Sequence, residues 1–316
     1  SVTRFALTGT PIENRLSELW SIFEYLMPGF LYPYAYFRSE LEHPIVENKD
    51  QIAATRLQQL VRPFIMRRLK TDVLKELPDK LEHAVYAQMT DEQKKLYTAN
   101  ALKLQKNLEQ QSDSMFKTSK IQILAELTKL RQLCCDPSLI YQNYHGGSAK
   151  LDTCIQLIEN AMAGGHKILL FSQFTSMLDV IERRLKTERI LYYRLDGSTK
   201  SEQRTRLVNA FNDNKVPVFL ISLKAGGTGL NLTGADIVIH YDPWWNAAAQ
   251  NQATDRAHRI GQKHTVTVYK LIARHTIEEK ILELQENKKA LSDQILSEEG
   301  VTASHLTKED LLQILQ

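Results

Sequence analysis

From residue 148 onward the chain predicts an α/β domain, a parallel sheet with helices on both faces, and three observations carry that prediction. KILLFSQ, PVFLIS and DIVIHYD are short apolar runs without polar alternation, the pattern of strands buried on both sides. They alternate with amphipathic stretches of roughly 10 to 15 residues, whose apolar positions recur at helical spacing. Helix starts are written in as well: Thr199 with Glu202, and Thr276 with Glu279, match capping boxes.

Taken in order, RFALTGT has a strand pattern and runs straight into TPIEN. There Thr10 can cap a helix, Pro11 suits its first turn and Glu13 closes a capping box. A domain opening on one strand reads as the tail of a larger fold. RLSELWSIFEYLM then places Leu16, Leu19, Trp20, Phe23 and Leu26 on one helical stripe, and MPGFLYP breaks it. Residues 50–135 read as mostly helical: QIAATRLQQLV, RRLKTDVLKELPDK, and a polar helix pair over about 91–135, with KLEHAVYAQM extended between them. NLEQQSDSMFKTSK is polar enough to predict a mobile loop within that pair.

After 148 the alternation is regular. KLDTCIQLIENAMA leads to KILLFSQ, MLDVIERRLK to LYYRLDG, and SEQRTRLVNAFN to PVFLIS. The strand DIVIHYD follows, then a helix through 246–259, the strand TVTVYKLI and a last helix.

The bulk numbers bound the answer. A length of 316 residues allows two compact domains, and 43% hydrophobic with 24% charged residues is an ordinary globular composition. No run of about 18 apolar residues spans a membrane, and SVTRFALTGT lacks the charged-then-apolar order of a signal peptide. Cys134, Cys135 and Cys154 have no metal-type spacing, and the adjacent pair reads as half-buried helix residues in a reducing, intracellular compartment. A net charge of +3 engages a nucleic acid only if the basic groups are clustered.

Four segments carry candidate chemistry. The phosphate-cradling pattern G-x-x-x-x-G-K-[ST] occurs nowhere. DEQK at 91–94 imitates an acidic metal-holding box, but no apolar strand leads into it, and Thr90 with Gln93 reads as a helix start. In SLKAGGTGLNL, Gly226, Gly227 and Gly229 follow a strand end, where backbone amides can approach a phosphate or simply turn tightly. In HYDPWWNAAAQ, Trp244 and Trp245 suit either core packing or contact with sugar and base edges. In NQATDRAHRIGQ, Arg256 and Arg259 share a face if the segment is helical, with Gln252 one turn earlier. Two guanidiniums aimed at one place fit a multiply charged anion such as a triphosphate; the alternative is a solvated face bridged by Asp255.

Together these segments resemble superfamily-two helicase-like motors, and among them the Swi/Snf family of DNA-translocating ATPases. LTGTPIEN (7–14) is similar to the motif closing the first RecA-like lobe, and RRLKTDVLKELPDK (67–80) to the segment leading out of it. KILLFSQF (167–174), LDGST (195–199), SLKAGGTGLNL (222–232), HYDPWWN (240–246) and QATDRAHRIGQ (252–262) follow in family order. Two departures stand out: Ala247 where the family commonly has proline, and Cys135-Asp136 in LRQLCCDP where an Asn-His pair is usual.

The resemblance implies a RecA-like second motor lobe at 148–285 and a helical extension at 286–316. Before them come the end of lobe one with a helical protrusion at 1–70, and a linker with a second helical protrusion at 71–147. It implies ATP with magnesium, both bound mainly by an N-terminal RecA-like lobe of the same protein, with this fragment inactive alone. By motif match Arg256 and Arg259 are arginine fingers, with Gln252 coupling nucleotide to cleft, and Gly229, Asn231 and Asp255 on the nucleotide side. Ser172, Gln173, Ser222, Lys224, Gly226, Gly227 and Trp245 match positions facing the nucleic-acid backbone, while Arg67 and Arg68 match lobe-coupling positions. The expected partners are double-stranded DNA and a DNA-bound protein complex such as RNA polymerase, with no membrane. A bacterial cytoplasmic, nucleoid-associated setting is preferred over a nuclear one. The competing readings are a strand-separating DNA helicase and a catalytically idle DNA- or protein-binding module.

Overall fold

A computed structural model describes residues 3–7, 16–48, 50–66, 74, 76–226, 229–292, 311–312 and 315. Most of LTGTPIEN, including the Thr10, Pro11 and Glu13 start, lies outside these residues, as do Arg67, Arg68 and Gly227. The chain forms two compact units, residues 1–75 with 284–302, and residues 76–283 with 303–316.

The described helices of the first unit include α1 (Leu16–Leu26), α2 (Tyr34–Phe37), a π-helical turn at Arg38–Glu42, α3 (His43–Asn48) and α4 (Gln51–Val61), and residues 4–7 of the strand expected at RFALTGT form no strand. The stripe expected on α1 is buried at Leu16, Leu19 and Phe23, which pack with Leu31, Phe37, Leu41, Leu57 and Val61. Asp50 starts α4 by accepting hydrogen bonds from the Ile52 and Ala53 amides at 2.8 and 3.2 Å.

The second unit holds one sheet of six parallel strands among the described residues, in the order β1-β6-β5-β2-β4-β3. Its elements are β1 (Lys80–Ala87), α5 (Asp91–Gln110), α6 (Asp113–Cys135), α7 (Ala149–Ala163), β2 (Ile168–Ser172), α8 (Thr175–Thr187) and β3 (Tyr192–Leu195). They continue with α9 (Ser201–Asp213), β4 (Val218–Ser222), the single turn α10 (Leu223–Gly226), β5 (Ile237–His240), α11 (Ala247–Thr254), β6 (Val266–Ala273) and α12 (Ile277–Ser292).

Helices cover both faces because alternate strand residues point opposite ways. Ile168, Leu170, Leu220 and Ile239 pack with Ile155 and Ile158 of α7 and Leu178 and Ile181 of α8. Leu169, Phe171, Phe219 and Val238 pack instead with Val208 and Phe211 of α9 and Ala253 of α11. Cys134, Cys135 and Cys154 are fully buried rather than half-buried, and burial pushes the Cys154 thiol up to about 12.

Several sequence expectations are corrected. The sheet does not begin at 148: KLEHAVYA is its edge strand, paired with β6 along its whole length, and the compact unit begins at 76. The loop expected at NLEQQSDSMFKTSK is helical on both sides of a break at Gln111-Ser112, where the Ser112 hydroxyl accepts from the Met115 amide. Thr199 caps no helix; its hydroxyl accepts from the Asp196 amide, and α9 starts after Lys200 without a side-chain cap. At α12, Thr276 accepts from the Glu278 amide, and Glu279 reaches back to the His275 amide instead of the cap residue. The helix expected through 246–259 ends at Thr254, so Arg256 and Arg259 lie on turns.

Candidate nucleotide and nucleic-acid site

Parallel α/β sheets expose their binding edge at the carboxyl ends of the strands, and three of this sheet's strands carry predicted site residues there. β2 ends at Ser172 directly opposite Ser222 at the end of β4, and β5 ends at His240 beside Phe171. Ser222 is buried, and its hydroxyl accepts from the Ala225 amide at 3.4 Å, holding the turn of α10 that contains Lys224 and Gly226.

A buried polar network ties β2 to β5. Ser172 donates to Asp242 Oδ1 at 2.5 Å, and the Gln173 amide donates to both Asp242 oxygens at 3.3 Å. Arg131, from α6, reaches in with its guanidinium: Nη1 donates to Gln173 Oε1 at 3.0 Å and Nη2 to the Pro243 carbonyl. Nη2 also stands 3.9 Å from Asp242 Oδ2. The guanidinium carbon lies 5.7 Å from the Phe174 ring and 5.9 Å from the Trp245 ring. Burial pushes the Asp242 carboxyl up, and the Arg131 charge beside it opposes that shift. Ser172 and Trp245 are therefore buried in this arrangement, and the Ser172 hydroxyl is committed to Asp242 rather than presented at the surface. The cluster is short of acceptors: Arg131 Nε, Gln173 Nε2 and Gln250 Nε2 are buried nitrogens with no hydrogen-bond partner.

The second group lies along residues 252–262, which pack on the loop that joins α10 to β5. Here the loop contributes backbone groups. The Leu232 amide donates to the Arg256 carbonyl at 3.0 Å, and Arg259 Nη1 to the Leu230 carbonyl at 3.1 Å. Gln262 is the fastener: its buried Nε2 donates to the carbonyls of Thr233, Ala235 and Ala257 at 3.2, 2.7 and 3.1 Å. Its Oε1 accepts from the Lys263 and His264 amides. Gly261 has a φ of 100°, which favours glycine and closes the segment. The loop takes the Arg256 carbonyl, the amides of Arg256 to Arg259 turn back on Ala253, Thr254 and Ala257, and the helix ends at Thr254, so the shared helical face expected for the two arginines does not exist.

The arginines are nonetheless electrostatic neighbours. The half-buried Arg256 guanidinium is more acidic than usual, because burial and then the Arg259 charge disfavour its cation; Asp255 opposes both. Gln252 is exposed on α11, Asn231 is exposed on the loop, and Gly229 has a φ of 41° with open space around its α-carbon. The structure thus gathers Ser172, Gln173 and Trp245 into one cluster. It gathers Arg256, Arg259 and Asp255 into another. α11 runs between them, capped by Asn246, whose Oδ1 accepts from the Ala248 and Ala249 amides. His240 Nε2 and Thr254 Oγ1, 2.8 Å apart, pin its far end.

Arg131, Asp242 and Gln262 were not singled out as site residues from sequence. Arg131 had a legible signal: it stands among Leu127, Leu130, Leu133 and Cys134, all buried, and a charge on such a stripe demands a partner. Gln262 had none, since its partners are all carbonyls and amides.

Comparison with known proteins now gives the family. The SNF2-related domain profile matches residues 1–139, and the helicase conserved C-terminal domain profile matches residues 149–261. The Sulfolobus solfataricus SWI2/SNF2 ATPase core solved in complex with dsDNA aligns at 36% identity and a TM-score of 0.63, over 98% of this chain and 66% of that one. The Sulfolobus solfataricus SWI2/SNF2 ATPase C-terminal domain aligns at 32% identity and a TM-score of 0.61, over 75% of this chain and 98% of that one. An uncharacterized ATP-dependent helicase of Mycoplasma pneumoniae is 42% identical over 315 residues, 98% of this chain and 29% of that protein. The sheet is that of a RecA-like ATPase core domain. The chain belongs to the SNF2 family, and it spans about a third or less of the length of the curated relatives it matches. Among the described residues, no helix is long and apolar enough to cross a membrane.

Proposed function

We propose that this chain is the C-terminal half of an ATP-dependent motor that translocates on double-stranded DNA and remodels protein–DNA complexes. The observation that carries the reading is the alignment of 98% of the chain, at 36% identity, with a SWI2/SNF2 core solved on dsDNA. In this reading Arg256 and Arg259 are the fingers. The like-charged pair is costly until an anion arrives, and a triphosphate is the anion that two guanidiniums suit. ATP with magnesium, held mainly by an N-terminal RecA-like lobe of the same protein, supplies the transferable phosphoryl group. The chain itself has no G-x-x-x-x-G-K-[ST] loop to hold it.

Asp255 sits beside Arg256 and tempers its charge, while Gly229 and Asn231 line the neighbouring loop on the nucleotide side. Gln252, on the exposed face of α11, couples the nucleotide to the DNA edge. That edge comprises Gln173, Lys224, Gly226, Gly227 and Trp245, with Ser172 and Ser222 fixing the strand ends beneath. Such an edge reads phosphates rather than bases, so binding tracks salt and not sequence.

The test is ATP turnover by the full-length polypeptide with and without duplex DNA. Duplex is expected to stimulate turnover, and the DNA concentration for half-maximal stimulation to rise steeply with salt. Arg259→Ala is expected to lower kcat on the order of 10³-fold or more, the usual effect of removing an arginine finger. Undiminished turnover in Arg259→Ala sinks the finger assignment. Absence of DNA stimulation in the unsubstituted protein sinks the motor reading, and unwinding of a tailed duplex replaces translocation with strand separation.

A further inference from the structure

We infer that Arg131 is a positioning residue for DNA engagement, holding Gln173 and Trp245 in the attitude in which they meet the phosphodiester backbone of a duplex. The inference rests on the proposed function, and its argument is geometric. Arg131 belongs to α6, outside the motifs that supply the strand-end residues, yet its guanidinium fills the space between the ends of β2 and β5. It lies over the Phe174 and Trp245 rings while donating to Gln173 Oε1 and the Pro243 carbonyl. Only a planar cation stacks on rings and donates in its own plane at once; a lysine ammonium cannot.

The contact also dictates how Gln173 is used. With Oε1 on a guanidinium, the amide cannot turn over without opposing donor to donor, so the orientation of the Gln173 side chain is fixed. Gln173 Nε2 has no partner, and neither does Arg131 Nε. Both nitrogens are buried, so Arg131 acts on a duplex only through the two side chains it orients, Gln173 and Trp245.

The experiment uses the full-length protein with three variants: Arg131→Lys, Arg131→Met, and Arg131→Met combined with Asp242→Asn. The double variant removes both buried charges and so avoids stranding the carboxylate. Three quantities are read: kcat at saturating duplex, the duplex concentration for half-maximal ATPase, and the melting midpoint. In every variant that keeps the midpoint, half-saturation is expected to rise about tenfold, the loss of one charge-assisted contact, with kcat at saturation within about twofold. Arg131→Lys retains the charge and is expected not to restore DNA affinity. Unchanged half-saturation in a variant that keeps its midpoint overturns the inference alone. So does unfolding of all three variants, which would make Arg131 a core fastener. An unsubstituted protein that duplex does not stimulate overturns the functional reading itself, and this inference with it.

Discussion

The strand-end cluster and the arginine segment each hold arginine, yet they are built in opposite ways. At the strand ends the side chains themselves make the structure: Arg131, Asp242, Ser172 and Gln173 are bonded to one another, and their surroundings are closed. Along 252–262 the side chains of Arg259 and Gln262 fasten the segment to backbone carbonyls, and the guanidinium of Arg256 remains half-buried. The difference teaches how polar groups are spent: in the first region they are consumed by one another, in the second the Arg256 guanidinium is left to neighbours that hold its backbone.

The sharpest way to break that contrast is to remove one keystone from each region. Asp242→Ala leaves Arg131 buried without its carboxylate, and stranding one partner of a buried pair costs about 3–5 kcal/mol of folding stability. Asp242→Asn keeps an acceptor for Ser172 and is expected to cost less. Urea denaturation of both variants checks the order, and equal losses would show that charge pairing at Arg131 contributes nothing. Gln262→Ala removes the fastener of the other region. Lost hydrogen bonds are partly replaced by water at this edge, so the expected loss is smaller, about 2–3 kcal/mol. ATPase, measured on folded protein, separates the two further. Gln262→Ala is expected to lower kcat because Arg256 and Arg259 lose their footing, whereas a change confined to DNA affinity would place the fastener with the strand-end cluster.

Which of this was legible in the sequence follows from the range of the interactions. The strands β2 to β6 and the helices on both faces are written in local periodicity, most plainly where β2, β4 and β5 are buried along their whole length. β1 escaped assignment to the sheet because an edge strand carries exposed residues, and Lys80 to Ala84 look like linker. The end of α11 escaped for a different reason. The local breaker, Gly261, lies beyond Arg259, and the earlier end at Thr254 accompanies a tertiary contact, the Leu232 amide on the Arg256 carbonyl. Arg256 and Arg259 stand close together, as their spacing implies, but on turns after Thr254 and not on a common helical face. Arg131 and Gln262 depend on contacts across 42 and 27 residues of chain, distances at which spacing says nothing.

The smallest predicted effect falls on the bond that links the two regions. His240 ends β5 at the cluster, and its Nε2 meets Thr254 Oγ1 where α11 gives way to the arginine segment. Burial, with Lys270 adding to it, pushes the His240 imidazole down to about 3, so the folded protein holds it neutral. In the unfolded chain an ordinary histidine takes up its proton near 6.5. Between those values the unfolded state binds more protons than the native one, so stability rises with pH. The contribution is present above about 6.5 and drains away as pH falls towards 3. The expected slope from this residue is about 1.4 kcal/mol per pH unit in that window. His240→Gln keeps a hydrogen-bonding side chain without a titrating one, and is expected to flatten the curve between pH 6 and 4 by about that slope. Stability measured by urea across that range checks it, and parallel curves for the two proteins would show that His240 is not held neutral. If the variant also loses DNA-stimulated turnover while keeping its fold at pH 7.5, the bond does more than hold α11. It then carries the state of the strand ends to the arginines, and the two regions act as one.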